Sequence, residues 1–454
     1  MLRLSCPQHW LEQILRVADT PGFDGVWPLR EARHASGTRE LLVASTQSHP
    51  SGAGRVPSLR LRLDTELPAD VPHQSPGQAT LWLSPAGRWV GCYRPADTQG
   101  LPWPARNMAE LWLPGPGLLL LPSAGAMSPA WATDRVERAE GGSALGWLLS
   151  QAGSRGVEAA GSRSALALGG WEVLASLRSL RYGVVGLGRQ GHAMVTVLGT
   201  YQPRSLLLVD PQQLEPGNLD AGLAFTDGAA LGDAPLRKVD KLANWLRSAM
   251  PATRVQALAM DVRQPEAAAL LSECDVIITT PDRDEPRLVC ASIAAAYHRV
   301  HLDIGSLVSR NEDGRTQLGA DVRLMLPGDR DLSCLGGFAA LDQVEGLARL
   351  TPDTTATEPW WRLKAGALTS WATVAAGLGM RLLEDLAAGR LQGSRWLRVT
   401  HDEEEAAPRV QALDAQRDPF CPLCAQAGKA GRNDQTLAEL ANAVVIRAHR
   451  RAAH

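Results

Sequence analysis

The hydrophobic positions of this chain follow two patterns, and the first occupies about the first 155 residues. Short apolar runs alternate there with Pro, Gly and Ser clusters, which predicts strands joined by loops at Glu40–Ala44, Leu59–Leu63 and Thr80–Leu83. A helix is predicted near Trp10–Val17. No catalytic constellation is present, so we predict an α+β or β-rich accessory domain over residues 1–155, with partner docking as its role.

The second pattern begins near residue 182 and alternates buried strands with helices. The predicted strands cover 182–187, 205–209, 254–258, 275–279 and 299–304, and the helices predicted between and after them cover 190–200, 237–249, 265–272 and 286–297. An added strand near 321–326, a long helix over 361–388 and a strand over 394–399 follow. The alternation predicts an α/β fold with an open, mainly parallel sheet covered on both faces.

A glycine-rich turn marks the start of this second region. Gly186, Gly188 and Gly191 follow the first strand, and Asp210 ends the next strand, 22 residues after Gly188. Glycines at this spacing allow a tight turn, close approach of a phosphate and close packing of helix on strand, while the acidic residue accepts hydrogen bonds from ribose. We therefore predict a Rossmann-like sheet that binds a nucleotide.

Composition narrows the classes of protein further. The chain has 454 residues, 45% hydrophobic, with a net charge of -2, so no basic field attracts nucleic acid or an acidic membrane. No signal peptide is apparent, and the uncharged stretch Gly366–Met380 is shorter than the roughly 20 residues of a membrane span. These features predict a cytoplasmic protein whose closely spaced cysteines are tested first as metal ligands.

Beyond Asp210 the sequence resembles the ThiF-type adenylyltransferases, the family that activates ubiquitin and its prokaryotic relatives. Asn218 lies 8 residues after Asp210, Lys238 lies 13 before Pro251, and Asp282 lies 31 after Pro251. The resemblance extends over about residues 160–425 and depends on this ordered set rather than on the glycines alone. It implies an adenylation domain over 156–430, followed by a C-terminal helix over 431–454.

The resemblance also implies a role for each matching residue, with ATP and Mg²⁺ as cofactors. Asp210 would hold the ribose, Asn218 the nucleotide near its phosphates, and Lys238 the phosphate charge. Asp282 would bind Mg²⁺, a hard cation suited to carboxylate oxygens. Arg163 matches an arginine that a partner subunit inserts toward the phosphates, which implies a homodimer.

Three positions depart from the family pattern. Arg189 replaces the second glycine of the usual pair, Ala221 stands where an arginine is usual, and Arg283 replaces an asparagine. Arg189 or Arg237 could supply the lost positive charge, and weakened adenylation is the alternative.

Four residues resemble the structural zinc site of the same family. Cys421 and Cys424 match its second Cys-x-x-Cys pair, and Asp331 with Cys334 stands where the first pair is usual. Zinc accepts carboxylate oxygen as well as thiolate, so an Asp-plus-three-Cys site is chemically reasonable. The alternative is a lost site with buried, inert thiols.

Conjugating members of the family carry a nucleophilic cysteine that this chain lacks at the corresponding place. Ser370 or Thr369, near the start of the long helix, is a candidate ester-forming residue, although neither has an evident activating base.

The sequence thus predicts ATP-dependent adenylation of the C-terminal glycine of a ubiquitin-like or sulfur-carrier protein, in a bacterial ubiquitin-like conjugation pathway with a conjugating enzyme as a further partner. Two alternatives remain open. One is a scaffold that keeps the fold without the chemistry, and the other is an NAD(P)-dependent oxidoreductase, in which Lys238 and Asp282 would have no role.

Overall fold

A computed structural model describes both sheets and the helices of the second region. The described residues are 2–5, 24–33, 39–43, 58–63, 78–83, 89–93, 107–109, 118–121, 123–124, 164–168, 170, 173–174, 177–178, 180–226, 236–310, 316–337, 368–388, 390–391, 393–402, 404, 407–418, 421 and 423–424. The helix predicted near Trp10–Val17, Arg163 and the helix predicted over 431–454 lie outside them. The chain divides into two compact units, one mainly Met1–Ser176 and the other mainly Leu177–Ala295 with Arg299–Ala425. The three domains drawn from the sequence, 1–155, 156–430 and 431–454, stay predictions.

The N-terminal unit is β-rich, as the short apolar runs predicted. Its strands are β1 (Leu2–Ser5), β2 (Asp24–Arg33), β3 (Arg39–Val43), β4 (Ser58–Leu63), β5 (Gln78–Leu83), β6 (Trp89–Tyr93), β7 (Asn107–Ala109), β8 (Leu118–Leu121) and β9 (Ser123–Ala124). They form one sheet in the order β8-β1-β3-β2-β4-β5-β6-β7-β9. Trp27 and Leu42 are buried apolar side chains of this sheet.

The second sheet has eight strands and confirms the α/β prediction. The strands are β10 (Arg181–Val185), β11 (Ser205–Val209), β12 (Arg254–Leu258), β13 (Val276–Thr279), β14 (Val300–Arg310), β15 (Thr316–Met325), β16 (Arg395–Asp402) and β17 (Arg409–Leu413). The helices are α1 (Arg189–Gly199), α2 (Lys238–Ala249), α3 (Pro265–Ser272), α4 (Asp284–Ala296) and α5 (Thr369–Ala387). Two 3-10 turns, Pro216–Asn218 and Leu223–Phe225, lie between β11 and α2.

Strand order places the glycine turn at the centre of this sheet. The order is β12-β11-β10-β13-β14-β15-β16-β17, and β12 through β14 run parallel. The apolar runs of β10, β11 and β13 are buried because helices cover both faces of a parallel sheet. After β10 the chain moves to one side of that strand, and at β13 it crosses to the other. The carboxyl ends of β10 and β13 therefore form the switch point at which open α/β sheets bind ligands.

The far half of the sheet differs from the predicted pattern. β14 and β15 pair antiparallel from His301↔Met325 to Arg310↔Thr316, so both are longer than predicted. β17 was not predicted, although its five residues read Arg-Val-Gln-Ala-Leu as those of β12 do. They are mostly exposed, and their place in the sheet comes from antiparallel pairing with β16, which the local pattern does not indicate. α5 is described from Thr369 to Ala387 and packs on α1, β14 and β15. Within the described parts of the chain, none of the helices combines the length and apolarity that a membrane span requires.

Candidate active site

Steric limits differ among the three glycines of the turn between β10 and α1. Gly186 has φ +87°, and a Cβ there would lie 2.7 Å from the Pro281 nitrogen. A Cβ on Gly191 would lie 2.0 Å from the carbonyl oxygen of Gly186, so only glycine lets α1 approach β10 this closely. A Cβ on Gly188 would meet nothing within 4 Å. Packing thus requires glycine at 186 and 191, whereas Gly188 borders open space just before the helix.

This difference gives a prediction that separates folding from binding. Gly191→Ala should destabilise the fold, because the added methyl overlaps backbone. Gly188→Ala should fold with an unchanged melting temperature, because the residue has φ -69° and open space around it. If phosphate occupies that space, Gly188→Ala should weaken ATP binding by about tenfold or more, since a methyl blocks close approach of the anion to the backbone. Calorimetric melting and nucleotide titration of both variants test this, and ATP affinity unchanged in Gly188→Ala would contradict it.

Asp210 ties the glycine turn to the loop after β11. Its carboxylate is buried and accepts the backbone N–H of Leu187 at 2.6 Å and that of Gln212 at 2.8 Å. Each carboxylate oxygen has a second lone pair, so the hydrogen bonds do not exhaust its capacity to accept from ribose. The ribose role stays a prediction, and the observed role is to fix two loops side by side.

Lys238 is a buried cation at the first residue of α2. Its ammonium donates to the Gln212 side-chain oxygen at 2.6 Å, and its backbone N–H donates to the Gln212 carbonyl at 3.1 Å. Only 5% of the residue is exposed, and no carboxylate within the described part of the chain forms an ion pair with it. Burying an ammonium without an opposite charge is costly. A buried lysine with a neutral partner and donors to spare is therefore a candidate anion-binding group.

Asn218 lies in a loop whose shape depends on a buried histidine. Its side-chain oxygen accepts the backbone N–H of Glu215 at 3.1 Å, which closes the 3-10 turn. Further along, the His192 Nε2 accepts the Ala224 N–H at 3.1 Å, and a Cβ on Gly222 would lie 2.0 Å from the ring. Burial lowers the pKa of His192 to about 4, so the imidazole is neutral and its Nε2 is free to accept at neutral pH.

Arg189 has a side chain that the sequence placed beside the phosphate turn. The structure directs it to the loop after Asn218 and to the start of α5. The guanidinium donates to the Asp220 carbonyl at 2.6 Å, to the Asp220 carboxylate at 2.8 Å and to the Thr369 hydroxyl at 2.5 Å. These bonds hold the guanidinium on the Asp220 and Thr369 side of the turn.

Asp282 lies in the loop between β13 and α4 and is exposed. The loop touches the glycine turn, since the Thr280 hydroxyl donates to the Gly186 carbonyl at 2.6 Å. Arg287 anchors the same loop, because its guanidinium donates to the Pro281 carbonyl at 2.8 Å and to the Asp303 carboxylate at 2.7 Å. A magnesium ligand at 282 would therefore be carried by a fixed loop.

Asp303 begins a series of alternating charges across β14, β15 and β16. The residue is 0% exposed and is shared by Arg287 and by Arg323, its partner across β14 and β15. Arg323 continues to Asp321 at 2.7 Å and donates to the Leu335 carbonyl at 2.9 Å. The series therefore anchors both the loop of Asp282 and the loop that follows Cys334.

Asp321 extends the series to β16. It accepts from Arg398 at 2.8 Å and from the Trp396 indole at 2.8 Å. Burial opposes its ionisation, but the hydrogen bond from Arg398 and the charge of Arg323 outweigh that effect and lower its pKa. The carboxylate therefore stays charged and the series stays paired at neutral pH.

Removing the centre of this series should destabilise the protein. Asp303→Asn removes the carboxylate that the buried guanidinium groups of Arg287 and Arg323 share and leaves Arg323 with Asp321 alone, which costs about 3–5 kcal/mol of unfolding free energy. The matched control is Asp261→Asn at the more exposed Asp261–Arg263 pair, where the expected loss is about 0–1 kcal/mol. Urea unfolding of both variants tests this. Equal losses would show that the buried series does not stabilise the fold.

The four residues assigned to zinc by resemblance do lie together. One ligand atom from each of Asp331, Cys334, Cys421 and Cys424 lies within 4.8 Å of all the others. The Cys334 and Cys424 sulfurs are 3.6 Å apart, and the Cys421 sulfur lies 2.9 Å from an Asp331 oxygen. Zinc bound to sulfur at about 2.3 Å separates tetrahedral sulfur ligands by about 3.8 Å. The donor set therefore fits a tetrahedral dication.

The ionisation of these four side chains also favours a bound dication. Hydrogen bonds from Cys421 and Cys424 lower the pKa of the Cys334 thiol, and the hydrogen bond to Cys334 raises the pKa of both other thiols. Burial, followed by the charge of Cys334, raises the pKa of Asp331. Four acids so close cannot all ionise unless a cation joins them. A bound dication would supply that charge.

Ser370 and Thr369 occupy the exposed first turn of α5. The Thr369 hydroxyl accepts from Arg189 and donates to the Asp220 carbonyl at 3.3 Å. The structure thus places one candidate in a hydrogen-bonded cluster, and ester formation on either residue stays a prediction.

Several residues of this region had no assigned role from sequence. They are Gln212, which links Asp210 to Lys238, Asp220, which holds Arg189, and the Arg287–Asp303 pair. The sequence offered one signal for these residues, the acidic Asp303 at a position of a predicted strand. Its partners lie on other elements, so the sequence alone did not identify them.

Comparison with known proteins agrees with this geometry. Residues 162–316 match the ThiF family, so this stretch is a ThiF family domain, and the resemblance drawn from the sequence is confirmed over it. A search of curated proteins found no match.

Solved structures of E. coli MccB are among those that this chain matches. MccB with ATP is 16% identical, with a TM-score of 0.44 over 58% of this chain and 74% of that chain. MccB with MccA-N7isoASN is 15% identical, with a TM-score of 0.45 over 66% and 83%. The microcin C7 biosynthetic enzyme MccB in complex with N-formylated MccA is 15% identical, with a TM-score of 0.42 over 65% and 82%.

Proposed function

We propose that this chain uses ATP and Mg²⁺ to adenylate the C-terminal carboxylate of a small protein. One observation carries the proposal: hydrogen bonds run without a break from the glycine turn through Asp210 and Gln212 to the buried ammonium of Lys238. Backbone amides and a cation that forms no ion pair with a described residue thus converge at the carboxyl ends of β10 and β11. An acyl carboxylate attacking the α-phosphate and a departing pyrophosphate both need positive charge at that place.

Magnesium would bind at Asp282, on the loop that touches the glycine turn. The hard cation suits a carboxylate and phosphate oxygens. The contact between Thr280 and Gly186, with the anchoring of Pro281 by Arg287, supports this assignment because it holds Asp282 next to the turn. Asn218 would contact the nucleotide near its phosphates, and Arg163 would enter from the partner subunit of a homodimer.

The scaffold alternative depended on two departures from the family pattern, Arg189 beside the turn and Ala221 in place of an arginine, and the structure bears on the first. That side chain is bonded to Asp220 and Thr369, which supports an enzyme rather than an inactive relative. Zinc at Asp331, Cys334, Cys421 and Cys424 would hold two distant segments together and would have a structural role.

The acyl substrate we propose is a ubiquitin-like or sulfur-carrier protein that ends in glycine, and a conjugating enzyme would be a further partner. A glycine terminus suits a crowded phosphate site because no side chain obstructs approach to the α-phosphate. Residues 1–155 are the proposed docking region.

The experiment is exchange of radiolabelled pyrophosphate into ATP by the full-length protein, with small proteins ending in glycine that are encoded beside it. We expect exchange with one of them and none when its last glycine is deleted. If the protein binds ATP but catalyses no exchange with any of these small proteins, the scaffold alternative is favoured. Binding of NAD in preference to ATP would favour the oxidoreductase.

A further inference from the structure

Arg189 is the one residue of the glycine turn whose side chain is long, charged and held away from the turn by a weak partner. It is the first residue of α1, next to Gly188, where open space borders the backbone. The first backbone N–H groups of a helix have no partner within the helix and attract anions. A guanidinium rooted at this position therefore starts at the place where phosphate would bind.

Arg189 is largely buried, whereas Asp220, its ion-pair partner, is largely exposed. The Arg189 side chain is 17% exposed, whereas that of Asp220 is 75% exposed. An ion pair with one partner in water stabilises little, because the exposed carboxylate is well hydrated whether or not it is paired. The remaining bonds of the guanidinium go to the Asp220 carbonyl and the Thr369 hydroxyl, both neutral acceptors. A phosphate oxygen is a stronger acceptor than the carbonyl or the hydroxyl, because it is charged and matches the fork of donors.

The nucleotide site also has few cations of its own among the described residues. Lys238 supplies one, and its ammonium is bonded to a neutral amide oxygen. Arg237, the other candidate from the sequence, donates to the Ala259 carbonyl at 3.0 Å, beyond β12. Arg189, in contrast, adjoins Gly188 directly.

We propose that Arg189 is a phosphate-binding residue supplied by the chain itself, held by Asp220 and Thr369 until ATP binds and then transferred to the nucleotide phosphates. This rests on the proposed function. Asp220 and the nucleotide phosphates then compete for the Arg189 guanidinium. Arg189, which replaces a family glycine, becomes part of the nucleotide site.

The test is calorimetric titration of the full-length protein with magnesium and a non-hydrolysable ATP analogue, and separately with adenosine, which lacks phosphate. Arg189→Gln should weaken binding of the analogue by about 10–100-fold, as for loss of a hydrogen-bonded charge, with adenosine affinity unchanged within about twofold. Asp220→Asn should bind the analogue as tightly as wild type or about 2–5-fold more tightly, since competition for the guanidinium falls. Thr369→Val removes a neutral acceptor of the same guanidinium, so it should shift analogue affinity in the same direction as Asp220→Asn and by less. Arg189→Lys, which keeps the charge without the fork, should lie between wild type and Arg189→Gln.

The results that would contradict the Arg189 inference differ from those that would contradict the proposed function. If Arg189→Gln binds the analogue as wild type does, or if Arg189→Gln and Asp220→Asn weaken analogue and adenosine alike, the cluster is structural and this inference is wrong. The proposed function would survive either result. Wild-type protein that binds adenosine and the analogue equally weakly, or neither, would overturn the proposed function as well.

Discussion

Replacement of Lys238 by glutamine is expected to lower ATP–pyrophosphate exchange by about 10²–10³-fold, the usual cost of removing one group that stabilises charge in a transition state. The side chain loses its charge but can still bond Gln212, so the local structure should persist. The substitution removes a buried charge that forms no ion pair with any described carboxylate, so thermal stability should be equal or higher.

Lys241→Gln on the same helix is the matched control for this substitution. Lys241 is one turn further along α2 and has no place in the hydrogen-bonded path from Asp210, so exchange should stay within about twofold of wild type. Exchange rates measured at saturating ATP and carrier, together with melting temperatures, test the pair. Full activity in Lys238→Gln would remove the basis of the proposed chemistry.

Loss of the proposed zinc site should have the largest effect on stability. Cys421→Ser is expected to abolish binding of one zinc per chain and to lower the melting temperature markedly, because metal binding to four ligands contributes directly to folding free energy. Chelation of the wild-type protein should lower the melting temperature in the same direction, and added zinc should restore it.

Asp331 offers a sharper test of the same centre. Asp331→Cys should keep the zinc, since it supplies a fourth thiolate, whereas Asp331→Ala should lose it. Ser333→Ala, at an exposed position between two ligands, should change neither zinc content nor stability. Elemental analysis of the purified variants decides the matter. Wild-type protein free of metal, with a melting temperature indifferent to chelator, would indicate the alternative of inert thiols.

The parallel half of the second sheet could be predicted because its physical causes are local. Strands such as β11 and β13 are continuous apolar runs, and Gly186 and Gly191 are required by contacts within one strand–turn–helix unit. Helices α1 and α2 begin within one residue of the predicted positions. Local pattern was sufficient there.

The remaining features depend on pairing between distant segments. The shared carboxylate of Asp303 requires the register of β14 with β15 and the position of α4, which no local pattern encodes. The direction taken by Arg189 depends on Asp220 and on Thr369, 180 residues away. The sequence places a bulky arginine next to Gly188, and only the three-dimensional partners show where its side chain bonds.

The most direct measurement is an experimental structure of the protein with magnesium and a non-hydrolysable ATP analogue. The account predicts phosphate oxygens on the backbone amides that begin α1 and on the Lys238 ammonium, with the metal on Asp282. A nucleotide bound elsewhere, or a Lys238 ammonium that still contacts only Gln212, would contradict it.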